Sequence, residues 1–521
     1  MIRLTLLTIR TFALSLLLCG CELGVDQSTL VNPNYDLLTN CARPEQAAIT
    51  GIVLESLCGV VSVYENRESQ AGRKIDLNIM LIPATTAVVK PDPIFFLAGG
   101  PGQSAVQTGP YLFSRLGRLR RERDIVLVDQ RGTGESNSLA CLPETDFGLL
   151  DDISIEEMEA AQTLMLKKCL VEFDAEPSLY TTPIAMDDLD EVRRVLGYRQ
   201  INLFGMSYGT RAALVYLRRH GDTVRSAVLD GVAPLSMSVP ANIAVDAQSA
   251  FDILLKDCIK QTGCAEAFPN LLEHFHALVQ HLAVSPRTAT ISHPRTGEQI
   301  TGPVHAVIVN RLIRAVMYDR TLSSLVPLAI EEAYQGNFQP LTTLAYSFSG
   351  ENTQMSNGMM ASVLCAEDMR RVSQPNDTDD FENVIFSSLS SICEYWPKGN
   401  IPDNYFDPVT SDVPILLLSG KFDPVTPPKY AWNAAETLSN HEHIVVPGVG
   451  HGTSLQGCVP DILEAFFESA NPKGLNIGCV SDLSRPPFFT SFAGATAYKS
   501  ATAYKKETDQ EEKAEMEKRS D

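Results

Sequence analysis

A serine between two glycines has the context of an activated nucleophile. Residues 205–209 read Gly-Met-Ser-Tyr-Gly, follow the apolar run 201–204 and open a helix-compatible segment. On such a sharp strand-to-helix turn the hydroxyl is exposed near a helix N-terminus, and small neighbours let the backbone pack closely. The motif alone arises by chance, so the flanking pattern carries the inference. Ser207 is therefore predicted to attack an acyl carbon; the alternative is an ordinary serine in a Gly-rich turn.

A serine hydroxyl needs a general base and a carboxylate that orients this base. After a nucleophile on a strand-to-helix turn, these two groups follow in the order acid, then histidine. Asp423 comes shortly after the apolar run 415–418, and Thr426 with Pro427 forms an N-cap and first-turn pair for the next helix. We expect Asp423 to lie on a strand-to-helix loop and to orient the base.

His451 is the predicted base. It lies in a glycine-rich loop after the apolar run 444–446, at the carboxyl end of a predicted strand, where open α/β sheets bind their ligands. His441 and His443 precede the same apolar run, so we expect them at the opposite edge of the sheet.

The negative oxygen that forms during acyl transfer needs preorganised N–H donors. One comes from the residue after the nucleophile and one from an early strand-to-helix loop. These donors are predicted to be the backbone groups of Tyr208 and Gly100, the latter in the glycine-rich run 98–102. A tight turn that needs only positive φ is an alternative interpretation of these glycines, and it is compatible with the first.

The elements that must position these residues alternate between strands and helices. Short apolar runs bounded by polar, Gly or Pro residues are typical of strands buried on both faces of a parallel sheet. A crossover helix is indicated where apolar residues recur at helical spacing up to Leu196, followed by Gly197 as a C-cap. The alternation predicts an α/β architecture with a mostly parallel central sheet. The predicted strands are residues 94–97, 125–128, 201–204, 227–229, 415–418 and 444–446.

The predicted domain organisation has one long insertion. Residues 235–408 break the alternation with several helical patterns and are predicted to form a mainly helical cap. The core would then consist of residues 58–234 and 409–486, preceded by a linker and N-terminal segment at 21–57. Residues 487–521 contain a short duplication and a mixed-charge run, and we predict a disordered charged tail there.

The N-terminus has the pattern of an export signal. Two arginines precede the apolar run 12–18, which is too short to span a bilayer. Residues 18–21 resemble the bacterial lipobox, so 1–20 is predicted to be a lipoprotein signal peptide and Cys21 the lipidated residue. The protein would be anchored to the cell envelope through this lipid, at the outer membrane in a Gram-negative cell because Glu22 follows. An ordinary cleaved signal with a chance cysteine is the alternative.

Export determines how the 12 cysteines are interpreted, because thiols pair in an oxidising compartment. Apart from Cys19 and Cys21 they fall in near neighbours, and sequential pairing is the simplest arrangement, although other connectivities stay open. No Cys-x-x-Cys or His-x-x-x-His cluster indicates a metal site, and no cofactor is expected. The predicted disulfides are Cys41–Cys58, Cys141–Cys169, Cys258–Cys264, Cys365–Cys393 and Cys458–Cys479.

Composition excludes several classes of protein. The chain has 521 residues, of which 44% are apolar and 20% charged, as is typical of a globular protein with a sizeable core. Its 42 Lys and Arg against 63 Asp and Glu give a net charge of −21. A phosphate backbone would be repelled at long range, so nucleic acid is not an expected partner.

Taken in order, the motifs resemble those of the prolyl aminopeptidase and tripeptidyl aminopeptidase family of serine peptidases, most of all its secreted tripeptidyl aminopeptidase-like branch. The resemblance spans about residues 58–479 and implies an α/β-hydrolase fold with a helical cap that removes short pieces from peptide N-termini. Ala98 and Tyr208 stand where prolyl aminopeptidases usually have His and Trp, so strict proline selectivity is not implied. The motifs are residues 99–102, 129–136, 205–210, 423–427 and 450–452.

A peptidase that acts on N-termini must recognise a free α-ammonium, which a carboxylate in the cap can do. Glu367 and Asp368, beside Cys365, are predicted to do so; a solvated surface position is the alternative. Peptides are the expected substrates. An esterase or other small-acyl hydrolase and a catalytically silent binding lipoprotein remain open, because a fold does not determine a substrate.

Overall fold

A mostly parallel β-sheet forms the centre of the molecule. The computed structural model describes residues 34–41, 54–141, 154–294, 296–348, 355–372, 374–376, 378, 381 and 383–495. Within these residues, the central strands are β1 (Thr39–Asn40), β2 (Leu57–Tyr64), β3 (Lys74–Ile82), β4 (Ile94–Leu97), β5 (Ile125–Val128), β6 (Ile201–Met206), β7 (Val224–Asp230), β10 (Ile415–Gly420) and β11 (His441–Val446). They form one sheet in the order β1-β2-β3-β5-β4-β6-β7-β10-β11.

Strand pairing changes once across this sheet, from antiparallel to parallel. The pairs β1–β2, β2–β3 and β3–β5 are antiparallel, and every pair beyond β5 is parallel. Strands β4, β5 and β10 are buried at every position, whereas β2 alternates over part of its length. All the apolar runs predicted as strands lie in this sheet. Their apolar residues are continuous because helices cover both faces of the inner strands.

Helices cover the two faces of the sheet. Leu189 and Leu214 pack against one face, and Phe113 and Phe466 pack against the other. The helices are α1 (Ala105–Arg115), α2 (Ile155–Glu172), α3 (Thr182–Val195), α4 (Tyr208–His220), α5 (Val239–Lys260), α6 (Thr262–Ala267), α7 (Leu271–Val284), α8 (Ala306–Val316), α9 (Val326–Tyr334), α10 (Gln339–Phe348), α11 (Asn357–Val363), α12 (Val384–Tyr395), α13 (Pro428–Ala435) and α14 (Val459–Ser469). None of the helices in the described ranges is long and apolar enough to cross a membrane.

The segment predicted to be a cap, residues 235–408, contains a large apolar cluster. Helices α5 to α10 surround Phe251, Phe275 and Ile313. The cap also contains a hairpin that the sequence patterns did not indicate, formed by β8 (Arg287–Ser292) and β9 (Gln299–Val304). A separate hydrophobic core lets the cap fold over the sheet as a second layer.

Two segments depart from the predicted organisation. Helix α2 was predicted to belong to the core, but Leu166 packs with Leu389 and Trp396 of the cap. The start of the predicted tail is also ordered, because Phe488 is buried in the cap's apolar core and Phe489 donates its backbone N–H to Ser324. In both segments, apolar side chains pack against apolar residues of the cap.

Disulfides join the same pairs that the sequence spacing suggested. They are Cys41–Cys58, Cys141–Cys169, Cys258–Cys264, Cys365–Cys393 and Cys458–Cys479. Such a disulfide framework indicates an oxidising compartment and therefore export. The predicted signal peptide, the predicted lipidation site Cys21, most of the predicted linker and residues 496–521 lie outside the described residues.

Candidate active site

Ser207 lies on a strained turn between β6 and α4. Its φ of 55° and ψ of −124° are unusual for a residue with a side chain and cost on the order of 1–3 kcal/mol. The flanking glycines make the turn possible: a Cβ on Gly205 would lie 2.4 Å from the Gly209 carbonyl oxygen, and one on Gly209 would lie 2.0 Å from the Leu97 carbonyl oxygen. The motif is thus required by close packing of the turn against β4.

The half-buried His451 and the fully buried Asp423 form a pair at the same edge of the sheet. His451 Nδ1 lies 2.8 Å from Asp423 Oδ2. Thr426 Oγ1 donates to the same carboxylate oxygen at 2.8 Å, and the backbone N–H groups of Val425 and Thr426 donate to Oδ1 at 2.9 and 2.8 Å. The carboxylate accepts a hydrogen bond from the Nδ1–H group. Nε2 of the ring is then unprotonated and can accept a proton from another group.

The pair also determines the charge balance of the site. Desolvation alone would raise the pKa of Asp423, but attraction to His451 and these hydrogen bonds lower it. Desolvation opposes the charged form of His451, yet the Asp423 carboxylate raises the pKa of this imidazole above its usual value. A proton that arrives at His451 is therefore stabilised by the adjacent negative charge.

Asp230, the last residue of β7, joins the two halves of the site. Its carbonyl oxygen accepts from Ser207 N at 2.9 Å. Its carboxylate accepts from the backbone N–H groups of Thr453 and Ser454 at 2.8–3.0 Å, just after His451. One residue thus braces the serine turn and the histidine loop together.

The predicted oxyanion donors lie beside the serine. A Cβ on Gly99 would lie 3.1 Å from Ser207 Cβ, so the early glycine loop packs against the nucleophile turn. Gly100 has a φ of +108°, and a side chain there would crowd the Gly102 nitrogen at 2.6 Å. Within the described part of the chain, neither Gly100 N nor Tyr208 N donates a hydrogen bond to a protein acceptor. Both groups are available to a ligand.

The motif at 129–136 acts as a support for that loop. Asp129 accepts from Ser104 Oγ at 2.6 Å and from Val106 N at 3.0 Å, which fixes the start of α1 directly after the glycine loop. Arg131 is fully buried and binds Asp188 through two nitrogens at 2.6 and 2.9 Å. Asp129 thus stabilises the loop, whereas Arg131 connects the motif to α3, and no hydrogen bond or ion pair joins either residue to Ser207 or His451.

Glu367 and Asp368 are buried among groups of this chain. Glu367 accepts from the backbone N–H and the hydroxyl of Thr182 at 2.7 and 2.8 Å and from the hydroxyl of Tyr405. Asp368 forms an ion pair with Arg211 at 2.6 Å. Their exposed fractions are 1% and 0%. The structure therefore gives the predicted contact with a substrate amine no geometric support, because both carboxylates already have partners and are closed to solvent.

A cleft between the cap and the sheet edge provides room for a ligand. Its volume is about 410 Å³, and it reaches Gly100 of the early glycine loop and Tyr318 of the cap. The ring of Tyr318 packs edge-on against the His451 ring with centroids 5.0 Å apart, and Tyr318 O accepts from His451 N at 3.1 Å. Its lining also includes Met158, Glu159, Gln162, Asn310, Arg311, Arg314, Met355, Met360, Leu364, Ile385 and Ser388.

Comparison with known proteins agrees with this geometry. A family model described as "alpha/beta hydrolase fold" matches residues 92–252, and one described as "TAP-like protein" matches residues 378–479. The serine protease Hip1 of Mycobacterium bovis is 25% identical over 459 residues, which cover 79% of this chain and 85% of that protein. The tripeptidyl aminopeptidase of Streptomyces coelicolor is 24% identical over 466 residues, which cover 82% and 84%.

These matches support an α/β-hydrolase peptidase family for the chain. It is a serine peptidase-like α/β hydrolase, as the resemblance of its motifs implied. A probable proline iminopeptidase of Streptomyces coelicolor is 29% identical over 218 residues, which cover 39% of this chain and 55% of that protein.

Sequence reasoning missed two kinds of site residue in this α/β hydrolase. Asp230 could have been found, since it ends an apolar run that was predicted as a strand, at the edge where ligands bind. Tyr318, Glu159 and the arginines of α8 left no such signal. Their position beside the site depends on how the cap folds over the sheet.

Proposed function

We propose that this protein is an exported, lipid-anchored serine exopeptidase that releases amino acids or short peptides from peptide N-termini. The observation that carries the proposal is the Asp423–His451 pair at the edge where Ser207 occupies its strained turn. A base already oriented by a carboxylate, at the same sheet edge as a serine at a helix N-terminus, has the order and placement that acyl transfer requires. The peptidase relatives support peptides as the acyl donors.

In the proposed reaction, His451 Nε2 removes the proton from Ser207 Oγ, and this oxygen attacks the peptide carbonyl carbon. The N–H groups of Gly100 and Tyr208 donate to the negative oxygen that forms. The C–N bond then breaks as His451 gives its proton to the leaving amine, and an acyl-enzyme remains. A water molecule deprotonated by His451 cleaves the ester, which frees the N-terminal fragment and restores Ser207.

The free substrate amine needs a negative partner in the cleft. Among the described residues that line the cleft, the carboxylate is that of Glu159, which is half-buried and accepts from Ser388 Oγ at 3.3 Å. We assign the amine contact to Glu159 rather than to Glu367 or Asp368. A charge-assisted hydrogen bond of this kind contributes roughly 1.5–3 kcal/mol, or about 10- to 100-fold in kcat/KM.

A substrate panel tests the proposal. Purified protein is assayed with aminoacyl and tripeptidyl fluorogenic peptides, their N-acetylated forms and short-chain esters, alongside Ser207→Ala. We expect Ser207-dependent cleavage of free peptides and about 10- to 100-fold slower cleavage of acetylated ones, a gap that Glu159→Gln narrows. Equal cleavage of free and acetylated peptides would indicate an endopeptidase, cleavage of esters alone an esterase, and no turnover a binding protein.

The lipid anchor is a separate part of the proposal. The disulfides support export, and the motif at residues 18–21 supports Cys21 as the acylated N-terminus. A single acyl chain anchors only marginally, so we expect more than one chain on the mature residue. Mass spectrometry of the mature N-terminal peptide checks this, and an unmodified N-terminus at another residue would disprove it.

A further inference from the structure

Two arginines of the cap line the cleft and have no carboxylate partner among the residues that the structure describes. Arg311 and Arg314 lie three residues apart on α8, a spacing that places side chains on one helix face, and both line the cleft. Within the described ranges, neither guanidinium forms an ion pair with a carboxylate at 4.0 Å or less. Arg311 Nη1 instead lies 3.8 Å from the sulfur of Met158.

Fully buried arginines elsewhere in the molecule have carboxylate partners, whereas Arg311 is exposed and Arg314 is half-buried at the cleft wall. Arg131 binds Asp188 and Arg211 binds Asp368, each at 2.6 Å. Two effects lower the pKa of Arg311: desolvation, which is the larger, and repulsion from Arg314. Two like charges held together at a cleft wall destabilise the empty protein, and a bound anion would offset that cost.

Tyr318 links the arginine pair to the reaction site. Arg314 precedes Tyr318 by four residues, and the Tyr318 ring packs against the ring of His451. The protein's net charge of −21 repels anions at a distance, whereas the cleft carries two arginines against one glutamate among its described residues. The local positive charge therefore attracts an anionic group only at short range, once the ligand has entered the cleft.

We propose that Arg311 and Arg314 bind a carboxylate of the peptide substrate and make the enzyme selective for peptides with a negative charge close to the scissile bond. A guanidinium presents a planar set of donors that matches a carboxylate with two parallel hydrogen bonds. The carboxylate is an Asp or Glu side chain or the C-terminus of a short peptide. This inference rests on the proposed peptidase function.

Matched substrates separate the two sources of the carboxylate. One series compares peptides that differ only by Glu against Gln, or Asp against Asn, at positions flanking the cleaved bond. A second series compares free C-terminal acids with the corresponding amides. We expect kcat/KM to favour the acid by roughly 10- to 100-fold in one of the two series, with the advantage shrinking as salt concentration rises.

Variants test whether the two arginines are responsible. Arg311→Gln and Arg314→Gln should each reduce the preference, measured as the ratio of kcat/KM for the acidic and the neutral peptide, about tenfold. Arg311→Lys should retain part of this preference. Arg287→Gln removes a cap cation outside the cleft lining and is the matched control. Calorimetry measures the contact without turnover. It compares binding of the preferred acidic peptide to the Ser207→Ala variant and to the double variant Ser207→Ala, Arg314→Gln.

The outcomes distinguish this inference from the proposed function. If wild type cleaves neutral peptides in a Ser207-dependent way but shows no acid preference in either series, only the arginine assignment is wrong. The same conclusion follows if the preference survives in the double Arg311→Gln, Arg314→Gln variant. If wild type cleaves none of the peptides, the peptidase proposal is rejected instead. Calorimetry with an acidic peptide would still report whether the arginines bind its carboxylate.

Discussion

The edge of the sheet and the cap above it place charged groups in opposite ways. At the edge, the Asp423 carboxylate has four hydrogen-bonding contacts. The Asp230 carboxylate accepts from the backbone N–H groups of Thr453 and Ser454 in the loop after His451. In the cleft lining of the cap, Arg311 and Arg314 have no carboxylate partner within the described ranges, and Glu159 has a single long contact.

The difference separates reactivity from recognition. Catalytic dipoles act best when the protein has already fixed them, because no reorganisation is then needed as charge develops. Recognition requires groups whose hydrogen-bonding capacity is left for the ligand. Substitutions at the edge should therefore change kcat, whereas substitutions in the cap should change which substrate is chosen.

The largest effect is expected for the nucleophile. Ser207→Ala should lower kcat by about 10⁴- to 10⁶-fold, since loss of the nucleophile leaves only binding and oxyanion stabilisation. Active-site-titrated kinetics and a thermal unfolding curve measure activity and folding together. A folded variant with near-wild-type turnover would refute the role of Ser207.

The base and its partner come next. We expect His451→Ala to match the loss in Ser207→Ala and Asp423→Asn to cost about 10⁴-fold. His451 must be neutral to accept a proton, so kcat/KM should fall as pH drops through its raised pKa, and Asp423→Asn should move this acid limb to lower pH.

His443→Ala is the control for that assignment. His443 lies in β11 with Nε2 3.0 Å from Ser419 Oγ, and desolvation lowers its pKa to about 4. The control should retain most of the activity. A loss equal to that of His451→Ala would place the base elsewhere.

A smaller effect is expected at Asp230. Asp230→Asn removes the charge and part of the acceptor capacity that hold Thr453 and Ser454, so kcat should fall roughly 10- to 100-fold with little change in KM. The Asp230 carboxylate also raises the pKa of His451, so the acid limb should move to lower pH. Unchanged kcat with an unchanged acid limb would limit Asp230 to a structural role.

The smallest effect concerns stability. Burial raises the pKa of Glu367 to about 7, so the folded protein binds this proton more tightly than the unfolded chain does. The stabilisation is complete below the ordinary pKa near 4.5 and is lost as pH rises through 7. Relative to Glu367→Gln, wild type should lose about 2–3 kcal/mol of unfolding free energy between pH 5 and 8. Denaturant unfolding of both proteins measures this difference, and parallel pH curves would contradict it.

Much of the core was predictable because local sequence determines it. Gly205 is required by the turn at Ser207 itself, because a Cβ there would meet the Gly209 carbonyl oxygen, and short apolar runs are typical of inner strands. The order of Ser207, Asp423 and His451 along the chain follows from the same alternation of strands and helices. Near-neighbour cysteines likewise pair within short segments, so the disulfides needed little knowledge of the fold.

The cap could be predicted only as a helical insertion, because its function depends on packing between segments distant in sequence. Glu367 and Asp368 have the residue types of an amine-binding site, but Thr182, Tyr405 and Arg211 reach them from other parts of the chain and occupy their carboxylates. Arg311, Arg314 and Tyr318 look like ordinary residues of an amphipathic helix and the turn after it. Only the fold of the cap over the sheet edge brings them to the cleft, since side chains so far apart in sequence meet through tertiary packing alone.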